Sequence, residues 1–119
     1  MKKTLLIGAS TNPSRYANMA AKRLLANGHE LVQLGKREGE VDGNKIVLEL
    51  PKLEGVDTVT LYVNPENQKP YYDYLMALQP KRIIFNPGTE NDELQQLAQK
   101  QNIEVTEACT LVMLSTGQY

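Results

Sequence analysis

The 119-residue chain has a single cysteine, Cys109, so no disulfide within the chain can staple it. Long apolar runs are also missing. Stretches such as Leu5-Leu6-Ile7 and Leu111 to Leu114 last only a few residues, whereas a membrane-spanning helix needs about 20. Met1-Lys2-Lys3 precedes an apolar run too short for a secretory leader, which points to a cytoplasmic, membrane-free protein. Neither sign of charge dominates. Thirteen Lys and Arg face 14 Asp and Glu, for a net charge of −1 and a pI near 5.8. That balance excludes the broad basic face on which salt-dependent nucleic-acid binding rests. His29 is the only histidine. No triad, metal cluster or phosphate-loop lysine can be assembled, so neither a catalytic residue nor a metal site is expected.

What remains is an ordinary folding composition, 41% apolar and 23% charged, long enough for one domain over residues 1–119 and too short for two. Short apolar runs at Thr4-Leu5-Leu6-Ile7, Leu31 to Leu34, Thr58 to Val63, Ile83-Ile84-Phe85 and Ile103 to Val105 read as strands covered on both faces. Helical spacing separates them. Ala17, Ala20, Ala21, Leu24 and Leu25 form one stripe, closed by Asn27-Gly28. Tyr71, Tyr74, Leu75 and Leu78 form a second, and Leu94, Leu97 and Ala98 a third, for which Thr89 is the expected cap. Asp42-Gly43-Asn44 reads as a turn with short extended arms, Leu50 to Leu53 as a brief helix or turn, and Cys109 to Leu114 as a short last helix. Strands alternating with helices predict an α/β fold: one doubly wound, mainly parallel sheet of about five strands, Rossmann-like, with helices on both faces.

In such a sheet, ligands gather outside the carboxyl ends of the strands, where strand order reverses. Each of the first four major strands ends in turn chemistry: Gly8 to Arg15, Gly35-Lys36-Arg37, Asn64-Pro65, and Asn86-Pro87-Gly88. The first loop joins a strand to a helix N-terminus, whose unpaired N–H groups and dipole favour an anion. Gly8 and Ala9 permit close backbone approach, Ser10, Thr11 and Ser14 add hydroxyls, and Arg15 suits a phosphate. The G-x-G-x-x-G fingerprint is absent, because Ser10 and Pro13 stand where its second and third glycines belong. After the second strand, NAD-binding domains place a carboxylate for the ribose hydroxyls, but this chain has Lys36 and Arg37. Adjacent cations suit a ribose that itself carries phosphate, as in coenzyme A or, alternatively, NADP. Two solvated cations balanced by Glu38 and Glu40 are the plainer reading of the same residues.

The run Gly8-Ala9-Ser10-Thr11-Asn12-Pro13-Ser14-Arg15-Tyr16 resembles the opening loop of small stand-alone CoA-binding domain proteins, relatives of the N-terminal domain of the succinyl-CoA synthetase α subunit. The likeness continues through Gly28 to Val32, Val56-Asp57, Asn64-Pro65-Glu66, Asn86-Pro87-Gly88 and Glu107-Ala108-Cys109. The resemblance implies a Rossmann-like domain whose strand-end loops hold coenzyme A in an extended pose; without a catalytic constellation, the expectation is a non-catalytic module for coenzyme A or an acyl-CoA, a sensor or an accessory to a partner enzyme. It implies that Gly8, Ala9, Ser10 and Arg15 meet the pyrophosphate and that Lys36 approaches the phosphorylated ribose. Val63, Asn64 and Pro65 would flank the adenine or pantetheine, with Asn86, Pro87 and Gly88 near the pantetheine arm. Family members often carry Asn-Pro where this chain has Lys36-Arg37. An NADP-binding oxidoreductase-type domain, or a structural protein with a vestigial cleft, are the alternatives.

Three smaller readings complete the sequence. Cys109, near a helix start, is a candidate reactive thiol, though a buried cysteine packing as a small hydrophobe is the commoner case. His29 is expected to be an exposed turn histidine, and Tyr71, Tyr72 and Tyr74 to serve packing and surface rather than base stacking. Apolar residues near the C-terminus are compatible with a homodimer or an enzyme partner.

Overall fold

The computed structural model describes residues 1–119. Seven strands form one sheet: β1 (Thr4–Ile7), β2 (Leu31–Leu34), β3 (Glu40–Val41), β4 (Asn44–Val47), β5 (Thr58–Leu61), β6 (Arg82–Phe85) and β7 (Glu104–Glu107), in the order β3-β4-β2-β1-β5-β6-β7. All pairs are parallel except β3 with β4. Setting the two-residue β3 aside, the order is the 3-2-1-4-5-6 of the Rossmann fold. The strand count exceeds the expected five because both arms of the Asp42-Gly43 turn join the sheet. Positive φ at Asp42 (49°) and Gly43 (81°) gives that hairpin the twist its strands need.

β1 and β5, central in the sheet, are buried at every position, as their continuous apolar runs require. Leu5 pairs with Val32 on one side and Val59 on the other. Helix α1 (Tyr16–Ala26) lies on one face, its buried Ala17, Ala20 and Ala21 letting it settle close to the sheet. Helix α2 (Pro65–Gln68) follows β5 and leads through a 3₁₀ turn into α3 (Tyr72–Leu78), which lies on the opposite face with α4 (Asp92–Lys100). Helix α5 (Thr110–Ser115) returns to the face of α1, where Leu111 and Leu114 join its apolar cluster.

Several expectations are revised at this level. The cap of α4 is Asn91, whose Oδ1 accepts from Leu94 N at 3.2 Å, and not Thr89. Thr89 is spent closing the preceding turn, its Oγ1 donating to Asn86 O at 2.7 Å. Residues 50–53 form no helix, so the crossover from β4 to β5 is an irregular segment. His29 is half-buried rather than exposed: its Nδ1 accepts from Lys2 N at 3.0 Å, and its ring meets the edge of Tyr119 at 4.9 Å. Burial, with the nearby N-terminus and Lys2, holds this imidazole below its ordinary range. No helix is long and apolar enough to cross a membrane.

Candidate functional site at the carboxyl edge

Because six of the strands are parallel, their carboxyl ends and following loops share one edge of the sheet. Strand order reverses at β1, between β2 and β5, and the loops on either side of it touch. Gly8 N and Ala9 N both donate to Leu34 O, at 2.9 and 3.0 Å, tying the β1 loop to the end of β2. Gly35 N donates to Val47 O at 3.0 Å, tying β2 to the end of β4. Tyr62 N donates to Ile7 O at 2.8 Å, tying β5 back to β1. Gly8 stands at φ 98°, and a Cβ there would lie 2.8 Å from the Tyr62 carbonyl carbon and oxygen. A Cβ on Gly35 would stand 2.9 Å from Ala9 O, and one on Gly39 would strike the Thr11 methyl at 2.3 Å. The glycines are what allow three loops to meet at the switch point.

The first loop is shaped by its own side chains. Ser10 Oγ accepts from Asn12 N at 3.1 Å, and Asn12 Oδ1 accepts from both Ser14 N and Ser14 Oγ, at 3.0 and 2.8 Å. These bonds occupy Asn12 and Ser14, so neither caps α1. The N-cap residue is Arg15, which offers no side-chain acceptor. No side chain therefore caps this 11-residue helix: Asn18 N and Met19 N bond Arg15 O, at 3.1 and 3.2 Å, and the exposed Arg15 stands at the N-cap position. Thr11 and Ser14 are exposed, and Gly8, Ala9 and Ser10 partly so.

Lys36 and Arg37 are exposed at the tip of β2. Neither pairs with Glu38 or Glu40, since the molecule's two ion pairs are Lys3–Glu30 and Lys69–Glu66. Across the switch point, Asn64 caps α2 by accepting from Asn67 N at 2.9 Å, with Pro65 in its first turn. Val63 is partly buried beside it. Pro87 and Gly88 are exposed at the tip of β6, whereas Asn86 is buried with all its side-chain bonds made inside the protein. Its Nδ2 reaches Thr60 Oγ1 (2.7 Å) and Leu61 O (2.9 Å), and its Oδ1 accepts from Thr110 N at 2.8 Å. Asn86 thus shapes the edge by joining β5, β6 and the start of α5. Cys109 is the N-cap of α5 and only partly buried.

Sequence reading missed the polar network that holds the β5 and β6 loops together. Gln68, fully buried, donates to Val63 O (2.9 Å) and Thr89 O (2.7 Å) and accepts from Asn91 Nδ2 at 2.8 Å. Asn91 Nδ2 also meets Tyr72 Oη at 2.8 Å, and the partly buried Tyr72 packs against the core cluster on this face. Asn18, on the buried side of α1, donates to Ser10 O at 3.0 Å and keeps its Oδ1 buried and unpartnered. The Tyr62 phenol is buried near Thr60, Thr110 and Cys109 without a hydrogen bond, and burial pushes its ionisation far above the ordinary tyrosine range. Leu48, 46% exposed, follows β4 directly after Val47, whose carbonyl accepts from Gly35 N.

Comparison with known proteins decides the family. The sequence profile of the CoA binding domain matches residues 2–115. The chain belongs to the CoA binding domain family. A crystal structure of an uncharacterized protein shares 54% identity, covering 100% of this chain and 98% of that one, with a TM-score of 0.97. A hypothetical protein from Pyrococcus horikoshii OT3 shares 28% identity over 97% of this chain and 82% of its own, at a TM-score of 0.85. More distantly, the dinucleotide forming acetyl-coenzyme A synthetase 1 of Ca. Korarchaeum cryptofilum, in complex with phosphate and ADP, is 19% identical. That match covers 89% of this chain and 25% of the synthetase, with a TM-score of 0.70, and shows a shared fold. Curated proteins give no match.

Proposed function

We propose that this CoA binding domain takes coenzyme A, free or acylated, as an extended ligand along the carboxyl edge of its sheet, and that it works as a binding module rather than a catalyst. The diphosphate lies on the uncapped N-terminus of α1, met by the N–H groups there, by the Gly8-Ala9-Ser10 backbone, by the hydroxyls of Thr11 and Ser14 and by Arg15. Lys36 and Arg37 take the 3′-phosphate of the ribose, with Leu48 against the adenine. The pantetheine arm crosses toward Val63, Asn64 and Pro65 and on to Pro87 and Gly88, above the floor that Asn86 holds. Cys109 stands near the thiol end as a group open to modification.

One observation carries the reading. Three cations without carboxylate partners, Arg15, Lys36 and Arg37, flank an uncapped helix N-terminus where the strand order reverses. A polyanion with separate diphosphate and monophosphate groups matches that distribution. NADP offers the same groups with its monophosphate on the 2′-oxygen, which makes it the discriminating control. In calorimetric titrations, CoA is expected to bind at least about tenfold tighter than NADP, a gap of about 1.4 kcal/mol, with NAD weaker still. Equal or tighter binding of NADP, or heat from none of the three, would overturn the assignment.

A further inference from the structure

Away from the cofactor edge, the face that carries α3 is incompletely covered. The β4 to β5 crossover, where a helix would ordinarily seal that side of the sheet, is an irregular segment from Leu48 to Asp57. None of its residues from 48 to 56 makes a backbone–backbone hydrogen bond. Two side chains pin it: Tyr74 Oη donates to Pro51 O at 2.6 Å and Lys3 Nζ to Glu54 O at 2.9 Å. Between this segment and α3 runs a groove of about 660 Å³, lined by Leu53, Tyr74, Ala77 and Leu78 with Leu50, Lys52 and Glu54 of the crossover and Lys3. Leu50 is 48% exposed, so one large apolar side chain of the groove stands half in solvent.

We propose that this face binds a second copy of the chain, as a twofold homodimer. A twofold interface needs one surface that carries both the projection and the recess it fills, and Leu50 beside the Leu53–Leu78 groove supplies both. The rim fits the same arrangement. Lys52 and Glu54 are exposed two residues apart, and neither belongs to an ion pair in the monomer. A twofold axis between them sets Lys52 of one copy against Glu54 of the other. A second groove, about 410 Å³ between α1 and α5, lacks this property. Its rim carries Lys22 and Arg23, and neither helix contains a carboxylate, so twofold pairing there would bring cations together.

Sedimentation equilibrium across micromolar to millimolar protein tests the proposal. The wild-type chain is expected to dimerise. Leu50→Glu is expected to raise the dimer dissociation constant at least about tenfold, with the far-ultraviolet circular dichroism and CoA titration of the parent. Lys52→Glu alone is expected to weaken the dimer, and Lys52→Glu with Glu54→Lys to restore it, which a fold defect cannot mimic. A wild-type monomer at every concentration, or a dimer that none of these variants changes, would refute this interface.

Discussion

Arg15, Lys36 and Arg37 differ from the molecule's other basic residues in where they stand. Each is exposed, without a carboxylate partner, and next to a strand-end loop of the switch point. Lys36 is the sharpest test of ligand orientation at this scale, because its proposed contact is with one phosphate only. Lys36→Glu is expected to weaken CoA about tenfold, the effect of losing one charge-assisted bond. The same change is expected to cost 3′-dephospho-CoA less than about threefold, the remainder of a surface charge effect. Paired titrations of the two ligands measure the difference, and equal losses would remove Lys36 from the ribose phosphate.

At the scale of elements, the edge is built by loops locked to one another, and the locks were unequally visible in sequence. The β1 loop could be read because its parts are contiguous: an apolar strand, glycine, hydroxyl residues and a helix follow one another directly. The Thr89 cap failed for a local reason, since that hydroxyl had a nearer acceptor in Asn86 O and Asn91 lay two residues on. The Gln68–Asn91 and Asn86–Thr110 bonds left no linear signal. Their partners lie 23 and 24 residues apart and meet only once β5, β6 and α5 are assembled. Asn86→Ala tests that lock. It strands Thr110 N–H and the Leu61 carbonyl in a buried site, so a loss of about 2–4 kcal/mol is expected in urea unfolding. A loss below about 0.5 kcal/mol would show that the Asn86 bonds do not hold the edge together.

Over the whole molecule, the doubly wound order was legible because alternation of strands and helices leaves few topologies once crossovers are right-handed. Two features were not. The Asp42-Gly43 turn was read with short extended arms, but not as part of the sheet: β3 has only two residues, and β4 joins because it pairs with β2. The β4 to β5 crossover carries Leu48, Leu50 and Leu53, yet Pro51 and Gly55 interrupt any helical continuity, and what covers those leucines is a matter of surface rather than sequence. The fold therefore places the proposed cofactor shelf at the carboxyl edge and the proposed dimer face on the α3 side. Backbone-amide NMR of ¹⁵N-labelled protein titrated with CoA separates the two surfaces in one experiment. The expected shifts gather at Gly8 to Ala17, Lys36, Asn64 and Gly88. Shifts confined to the Leu50–Leu78 groove, or none at saturating CoA, would contradict the shelf as the place where coenzyme A binds.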